Sequence, residues 1–137
     1  MDSEIISLVQ NGMKAESEKD FISANKFYKD AWNKAQTPKQ KSIAAHFLAR
    51  TQDTKEDKFR WNKIALEEAL KVESEVKEYF PSLYFCMGLS CEECGDKDTA
   101  RINYKLAESK ISDLPETQEN IEYNSNLINQ IKAKLNL

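Results

Sequence analysis

Apolar residues recur at intervals of three and four along most of the chain, which is the spacing of one face of an α-helix. A short polar segment, residues 17–20, separates the first two such stretches, so they are predicted to form two helices that pack as an antiparallel pair. The predicted core stripes of this pair are Ile5, Leu8, Gly12 and Ala15 in the first helix and Phe21, Ala24, Tyr28 and Ala31 in the second.

The same pattern returns later in the chain, which indicates an internal repeat. Four positions recur when 76 is added to the residue number: Gly12 as Gly88, Ala24 as Ala100, Tyr28 as Tyr104 and Ala31 as Ala107. Half of that shift, 38 residues, predicts a middle copy. Its second helix matches the core positions of the first copy at this shift, and its first helix matches them when the numbering is moved by one further residue. Its core positions are Ala45, Leu48, Ala49 and Gln52, then Phe59, Asn62, Leu66 and Ala69. Repeats are therefore predicted at about residues 4–38, 39–79 and 80–115.

Residues typical of helix ends mark the boundaries of these predicted helices. Pro38, Pro81 and Pro115 stand near the points where a new helix should begin, and proline is tolerated in a first turn because its missing N–H would have no partner there. Thr54 is placed to accept a hydrogen bond from the backbone at the start of a helix. Gly95 is predicted to adopt the left-handed conformation that ends a helix.

The last segment, residues 116–137, is predicted to form a seventh helix that caps the array. Stacked repeats need a terminal element with one polar face, because an uncovered interior face would aggregate. The apolar stripe of this helix is predicted to contain Ile121, Asn124, Ile128, Ile131 and Leu135.

The third copy resembles the tetratricopeptide repeat, whose pattern is an aromatic residue, Leu-Gly three positions on, then Ala-x3-Phe in a second helix. Tyr84, Gly88, Ala100 and Tyr104 carry the resemblance, and the first copy keeps the same glycine-to-alanine spacing. The chain departs from the family in its period of 38 instead of ~34 and in Cys91, which stands where the family has tyrosine. The resemblance implies an all-α single domain over residues 1–137, with three stacked antiparallel helix pairs in a right-handed superhelix.

In such proteins the first helices of successive pairs line a concave groove, and this is where a partner is expected to bind. The residues one position past the predicted core stripes would form two rows across that groove. The predicted groove residues are Val9, His46 and Phe85 in one row and Met13, Arg50 and Leu89 in the other. An apolar groove with one cation suits a peptide or protein segment that carries an acidic group. The sequence therefore predicts a non-catalytic protein-binding adaptor.

Composition narrows the function classes. There are 20 Lys plus Arg and 23 Asp plus Glu residues, for a net charge of −3, which argues against nucleic acid as a partner. The predicted location is the cytoplasm, because no stretch is long and apolar enough to span a membrane and the start of the chain is acidic where a signal peptide is basic. Lysine greatly outnumbers arginine, which favours a bacterial source.

Two other functions are compatible with the sequence. The protein could be a structural homo-oligomer whose groove is occupied by the protein itself, whereas the adaptor is expected to be a monomer or a weak homo-oligomer. It could also be a small metal or redox protein that uses Cys91 and Cys94, with His46 as the single histidine. Zinc usually has four ligands, and no further ligand is evident, so no cofactor, metal or catalytic residue is predicted. Cys91 is expected to be an ordinary buried thiol.

Overall fold

The computed structural model describes residues 2–136, apart from the side chains of residues 118–120, 122 and 123. Met1 and Leu137, at the ends of the predicted domain, lie outside the described residues. Within the described part the chain is helical and contains no strand, which confirms the predicted all-α class. The helices are α1 (Asp2–Ser17), α2 (Phe21–Lys34), α3 (Pro38–Arg50), α4 (Lys55–Leu70), α5 (Phe80–Glu93), α6 (Lys97–Ser112) and α7 (Gln118–Leu135).

The helices pack in consecutive pairs, α1 with α2, α3 with α4, and α5 with α6. Each pair falls within one predicted repeat. Two short 3-10 turns, Glu73–Glu75 and Lys77–Tyr79, precede α5. By packing, the described chain divides into two compact units, one through Val72 and one from Glu73 onward. The single domain and the superhelical stack stay predictions.

The helix ends use the residues that the sequence singled out. Thr54 accepts a hydrogen bond from the backbone N–H of Asp57 (3.1 Å), and Gly95 has a φ of +88°. Lys19, at the equivalent position in the first repeat, also has a positive φ, 62°, which is strained for a residue with a side chain. The connection after the first helix of a pair therefore has the same backbone geometry in both repeats.

The core of the first unit is built from small residues around one tyrosine. Its buried cluster consists of Ile5, Val9, Ala15, Ala24, Tyr28, Ala31, Ala44 and Leu48. The predicted α1 stripe was wrong at one position, because Val9 is 5% exposed whereas Leu8 is only partly buried. In α7 of the second unit, Asn124, Leu127 and Ile131 are buried, but Ile121 is 49% exposed and does not belong to the core.

The two helical glycines make room for a tyrosine ring of the same helix pair. A methyl group at Gly12 would lie 2.7 Å from Cδ1 of Tyr28, and one at Gly88 would lie 2.6 Å from Cδ1 of Tyr104. Both distances are far inside van der Waals contact. Each ring therefore lies over the glycine of its own pair, and the Tyr28 ring also packs against Phe47 of α3.

No helix in the described part of the chain is long and apolar enough to cross a membrane.

Candidate functional site

The first helices of the first two repeats, α1 and α3, lie side by side and run parallel. Near the start of both helices, Gln40 Nε2 donates to Asp2 Oδ1 (2.9 Å) and Lys39 Nζ lies 3.3 Å from Asp2 Oδ2. Near the end of both helices, Arg50 Nη2 donates to Glu16 Oε2 (2.9 Å). Contacts that join start to start and end to end require a parallel arrangement. We call the surface that α1 and α3 share the first-helix face.

Of the predicted groove residues, Met13 and Arg50 are accessible on this face. Met13 is 49% exposed, and the Arg50 side chain is 55% exposed. Ile6, one residue after the predicted stripe, is 42% exposed and lies on the same side of α1 as Met13. Ile6, Met13 and Arg50 are therefore exposed side chains of the first-helix face.

Two of the predicted groove residues, Val9 and Phe85, are buried. Val9 is 5% exposed within the core of the first unit, and Phe85 is 8% exposed. The Phe85 ring packs against Tyr104, with ring centroids 5.6 Å apart. Leu89 is partly buried. The row Val9, His46 and Phe85 stays a prediction, and two of its three side chains have little exposed surface.

Arg50 is paired within the chain, in a cluster that we call the Glu16 cluster (Glu16, Tyr28 and Arg50). Arg50 binds the carboxylate with both Nε and Nη2, and the Tyr28 hydroxyl donates to Oε1 (2.6 Å). Asp53, the acid next to Arg50 in sequence, is not its partner in this pair. Burial raises the pKa of Glu16, but the hydrogen bonds from Arg50 and Tyr28 outweigh it, so the net shift is downward. The carboxylate is therefore ionised at neutral pH.

Tyr28 is fixed by the same cluster. Its ring fills the space over Gly12 and packs against Phe47, with ring centroids 5.5 Å apart. Burial, and then the adjacent Glu16 carboxylate, raise the pKa of Tyr28. The hydroxyl is therefore a permanent hydrogen-bond donor, and the cluster has no group poised for proton transfer at neutral pH.

His46 lies on α3 one turn before Arg50. Its Nδ1 is buried and has no hydrogen-bond partner among the described residues. Burial, with a smaller contribution from the Arg50 charge, lowers the pKa of His46 to about 4. The imidazole is therefore neutral at pH 7, and its ring packs against Phe47, with ring centroids 5.1 Å apart.

The second unit repeats the carboxylate cluster with a different cation. In the Glu92 cluster (Glu92, Tyr104 and Lys134), the Tyr104 hydroxyl donates to Glu92 Oε1 (3.0 Å) and Lys134 Nζ donates to Oε2 (2.9 Å). Lys134 is near the end of α7, just as Arg50 ends α3. The hydrogen bond from Lys134 is the largest influence on the pKa of Glu92 and lowers it; burial opposes this, and the hydrogen bond from Tyr104 adds a smaller lowering, so the net shift is downward. In each unit the cluster therefore connects a third helix to a helix pair: α3 to α1 and α2 in the first unit, and α7 to α5 and α6 in the second.

A sequence signal for these clusters existed. Glu16 and Glu92 are related by the same shift of 76 as Tyr28 and Tyr104. Both glutamates are predictable as inner-wall positions, but their pairing with tyrosine and a cation is not, because the cation comes from a helix distant in sequence.

The cysteines do not assemble a metal or redox centre in the described part of the chain. All three are free thiols, with Cys91 buried and Cys94 exposed. Burial, and then Asp96 and Cys94, raise the pKa of Cys91, which disfavours the reactive thiolate. Among the described residues no group of three or more His, Cys, Asp and Glu side chains is placed to hold a metal ion.

Comparisons with known proteins were negative: no protein-family model, no curated protein and no solved structure matches the chain.

Proposed function

We propose that the protein is a non-catalytic interaction module of the tetratricopeptide type, and that the first-helix face binds a peptide or protein segment. The observation that carries this proposal is the exposure of Ile6 and Met13 between two ion-paired ends. Large apolar side chains on a folded surface are costly to leave in water, and a cluster of them favours a binding site. Both belong to a first helix, as binding residues do in the family that the sequence resembles.

The ends of the face define the chemistry of the segment. Met13 is flexible and polarisable, and such side chains suit apolar surfaces of varied shape. At one end Arg50 is 55% exposed while its partner Glu16 is only 15% exposed, so a segment would meet the guanidinium first. An amphipathic segment with an apolar stripe and an acidic residue at its Arg50 end is the best match.

The binding test uses the face and a matched control. Immobilised wild type and an Ile6→Asp/Met13→Asp variant are exposed to native lysate, and captured proteins are identified by mass spectrometry. Ile102→Asp is the control, because Ile102 is 59% exposed on α6 and lies outside the face. The proposal expects proteins that the wild type and the control retain and the double variant loses. Equal capture by all three contradicts it.

Affinity measurements test the role proposed for Arg50. With a captured segment in hand, calorimetry on Arg50→Ala should show binding weakened by about tenfold, since a charge-assisted hydrogen bond contributes ~1.5–3 kcal/mol. Unchanged affinity would remove Arg50 from the site while leaving the apolar part of the proposal in place.

Self-association is the alternative that the exposed apolar residues also favour. Sedimentation velocity over a range of concentrations separates it from the adaptor function. A monomer throughout supports the adaptor, whereas a dimer abolished by Met13→Asp assigns the face to a second copy of the chain. The near-zero net charge further supports a protein that does not bind nucleic acid. The three free cysteines support a reducing compartment such as the cytoplasm, and the excess of lysine over arginine supports a bacterial source.

A further inference from the structure

The ion pairs at the two ends of the first-helix face are exposed in opposite senses. At the start of the helices the Asp2 side chain is 48% exposed and its partner Lys39 is 32% exposed. At their end the cation is the more accessible member, because Arg50 is far more exposed than Glu16. A segment that lies along the face would therefore meet a carboxylate first at one end and a guanidinium first at the other.

A lysine on α1 adds to the positive charge at the Arg50 end. Lys14 follows Met13 directly, belongs to the last turn of α1 and is exposed. In the last turns of α1 and α3, two exposed cations, Lys14 and Arg50, therefore stand against the largely buried carboxylate of Glu16. This excess attracts an acidic group to that end.

The spacing of the apolar residues between the two ends fits a partner helix. Ile6 and Met13 are seven residues apart, which is about two helical turns, and Ile43 lies partly buried on the neighbouring α3. From Asp2 to Glu16 the face extends over about 21 Å of helix. A helix of about four turns has this length, and its side chains would repeat along one face with the same period.

The charges also set the direction of such a helix. An α-helix is stabilised by acidic side chains in its first turn and by basic side chains in its last turn, because these complement its dipole. Its acidic first turn would have to lie at Arg50 and its basic last turn at Asp2. The partner helix would therefore run antiparallel to α1 and α3, and its dipole would oppose theirs.

We infer that the partner segment is an amphipathic helix that lies on the first-helix face antiparallel to α1, with an acidic first turn at Arg50 and a basic last turn at Asp2. Apolar side chains between these turns would cover Ile6 and Met13. The inference rests on the proposed function and adds to it the helical form of the segment, the direction of its chain and the role of Asp2.

A synthetic helix with a spin label tests the direction. The peptide has Glu at its first position, Leu at the fourth, eighth and eleventh, and Lys at the fifteenth, which lie on one helical face. A hydrocarbon staple on the opposite face keeps it helical. A nitroxide at its C-terminus should broaden the backbone amide signal of Ser3 in the 15N-labelled full chain more than that of Ser17. A nitroxide at its N-terminus should do the reverse.

Calorimetry on the same peptide tests the role of Asp2. Exchange of the peptide's lysine for glutamine should weaken binding to the wild type by about threefold, since the ion pair is exposed. The same exchange should have no effect on binding to Asp2→Asn, which keeps an oxygen that can accept from Gln40. The matched control is Glu4→Gln, because the Glu4 carboxylate pairs with Lys34 of α2, and it should retain the threefold effect. Thermal melts show that each variant is folded.

The outcomes separate this inference from the proposed function. Broadening in the opposite order, equal broadening by both labels, a threefold effect that persists in Asp2→Asn, or no binding of the peptide overturns the inference. Unchanged peptide binding to Ile6→Asp/Met13→Asp overturns it as well, because the peptide would then lie elsewhere. The proposed function is decided by the lysate capture: proteins that the double variant alone loses support it even where the peptide fails.

Discussion

A glycine and a tyrosine pack against each other in each unit, and this contact governs which single substitutions the helix pairs accept. The tyrosine ring occupies the space that a side chain at Gly12 or Gly88 would need, and its hydroxyl is bound to a glutamate of the first helix. The ring cannot move away without leaving that carboxylate with one hydrogen bond fewer. Glycine in the middle of a helix lowers its stability relative to alanine. Here glycine is required because the tyrosine ring occupies the space of a side chain.

Gly88→Leu should destabilise the protein by about 3 kcal/mol, because the new side chain would overlap the Tyr104 ring. Chemical denaturation measures the change, and Glu93→Ala, at an exposed position of the same helix, is the control with little effect. The cause is tested in a Tyr104→Leu background, where Gly88→Ala should become neutral or stabilising by up to about 1 kcal/mol through helix propensity. A large loss from Gly88→Ala in that background would show that the ring is not the obstacle.

His46 should make the protein less stable in mild acid. Its pKa in the folded protein is about 4, below the ordinary value of 6.5, so its contribution is complete above pH 6.5 and is lost as the pH falls from 6.5 towards 4. Between pH 7 and pH 5 the wild type should lose about 2 kcal/mol of unfolding free energy. Urea denaturation at the two pH values measures this loss. His46→Phe should lose much less, and an equal loss in both proteins would assign the acid effect to other groups.

At the scale of the helices, each unit attaches a third helix to a pair through equivalent positions. The third helix is α3 in the first unit and α7 in the second, and each supplies the cation for the carboxylate cluster. Asn25 and Arg101, related by the repeat shift, also contact the chain just beyond that cation: the Thr51 hydroxyl donates to Asn25 Oδ1, and Arg101 donates to the carbonyl of Leu135. In the second unit, α7 therefore occupies the position that α3, the first helix of the next repeat, occupies in the first unit.

Removal of residues 116–137 should uncover the apolar surface that α7 buries with Leu127 and Ile131. The fragment 1–115 should form oligomers or aggregates, as measured by light scattering during size-exclusion chromatography. A monomeric fragment of unchanged stability would contradict this and show that α7 contributes little to the fold.

Within the full chain, Lys134→Ala should lower the free energy of unfolding by at most about 1 kcal/mol, because the ion pair between Lys134 and Glu92 is partly exposed. Lys132→Ala, at an exposed position of the same helix, is the control.

For the whole molecule, folding rests on apolar packing within helix pairs and between a pair and its third helix. The described part of the chain contains no metal-binding cluster, and the three cysteines are free. A chain of this length has enough apolar surface to fold without such cross-links.

Thermal melts with and without chelator, and with and without reductant, should therefore coincide within experimental error. The Cys91→Ala/Cys94→Ala variant extends the test, because it should remain folded and lose only the packing of the Cys91 side chain. A large decrease in melting temperature on adding chelator would refute the prediction and favour the alternative that the chain is a metal-binding protein.

The sequence by itself determined the helices, their pairing and their ends. Helical periodicity, proline at first turns, Thr54 and Gly95 act over a few neighbouring residues, so they are visible in a single chain. The repeat shift of 76 further identified Gly12 and Gly88 as special positions.

Only the tertiary structure decided which faces are buried and which charges are paired. Val9 was predicted to line a groove but is buried, because the inward face of α1 is set by both α2 and α3 and not by α1's own pattern. Arg50 was predicted to bind a carboxylate of a partner, but in the structure it binds Glu16, which is 34 residues away in sequence. Such contacts join residues distant along the chain, and local patterns contain no information about them.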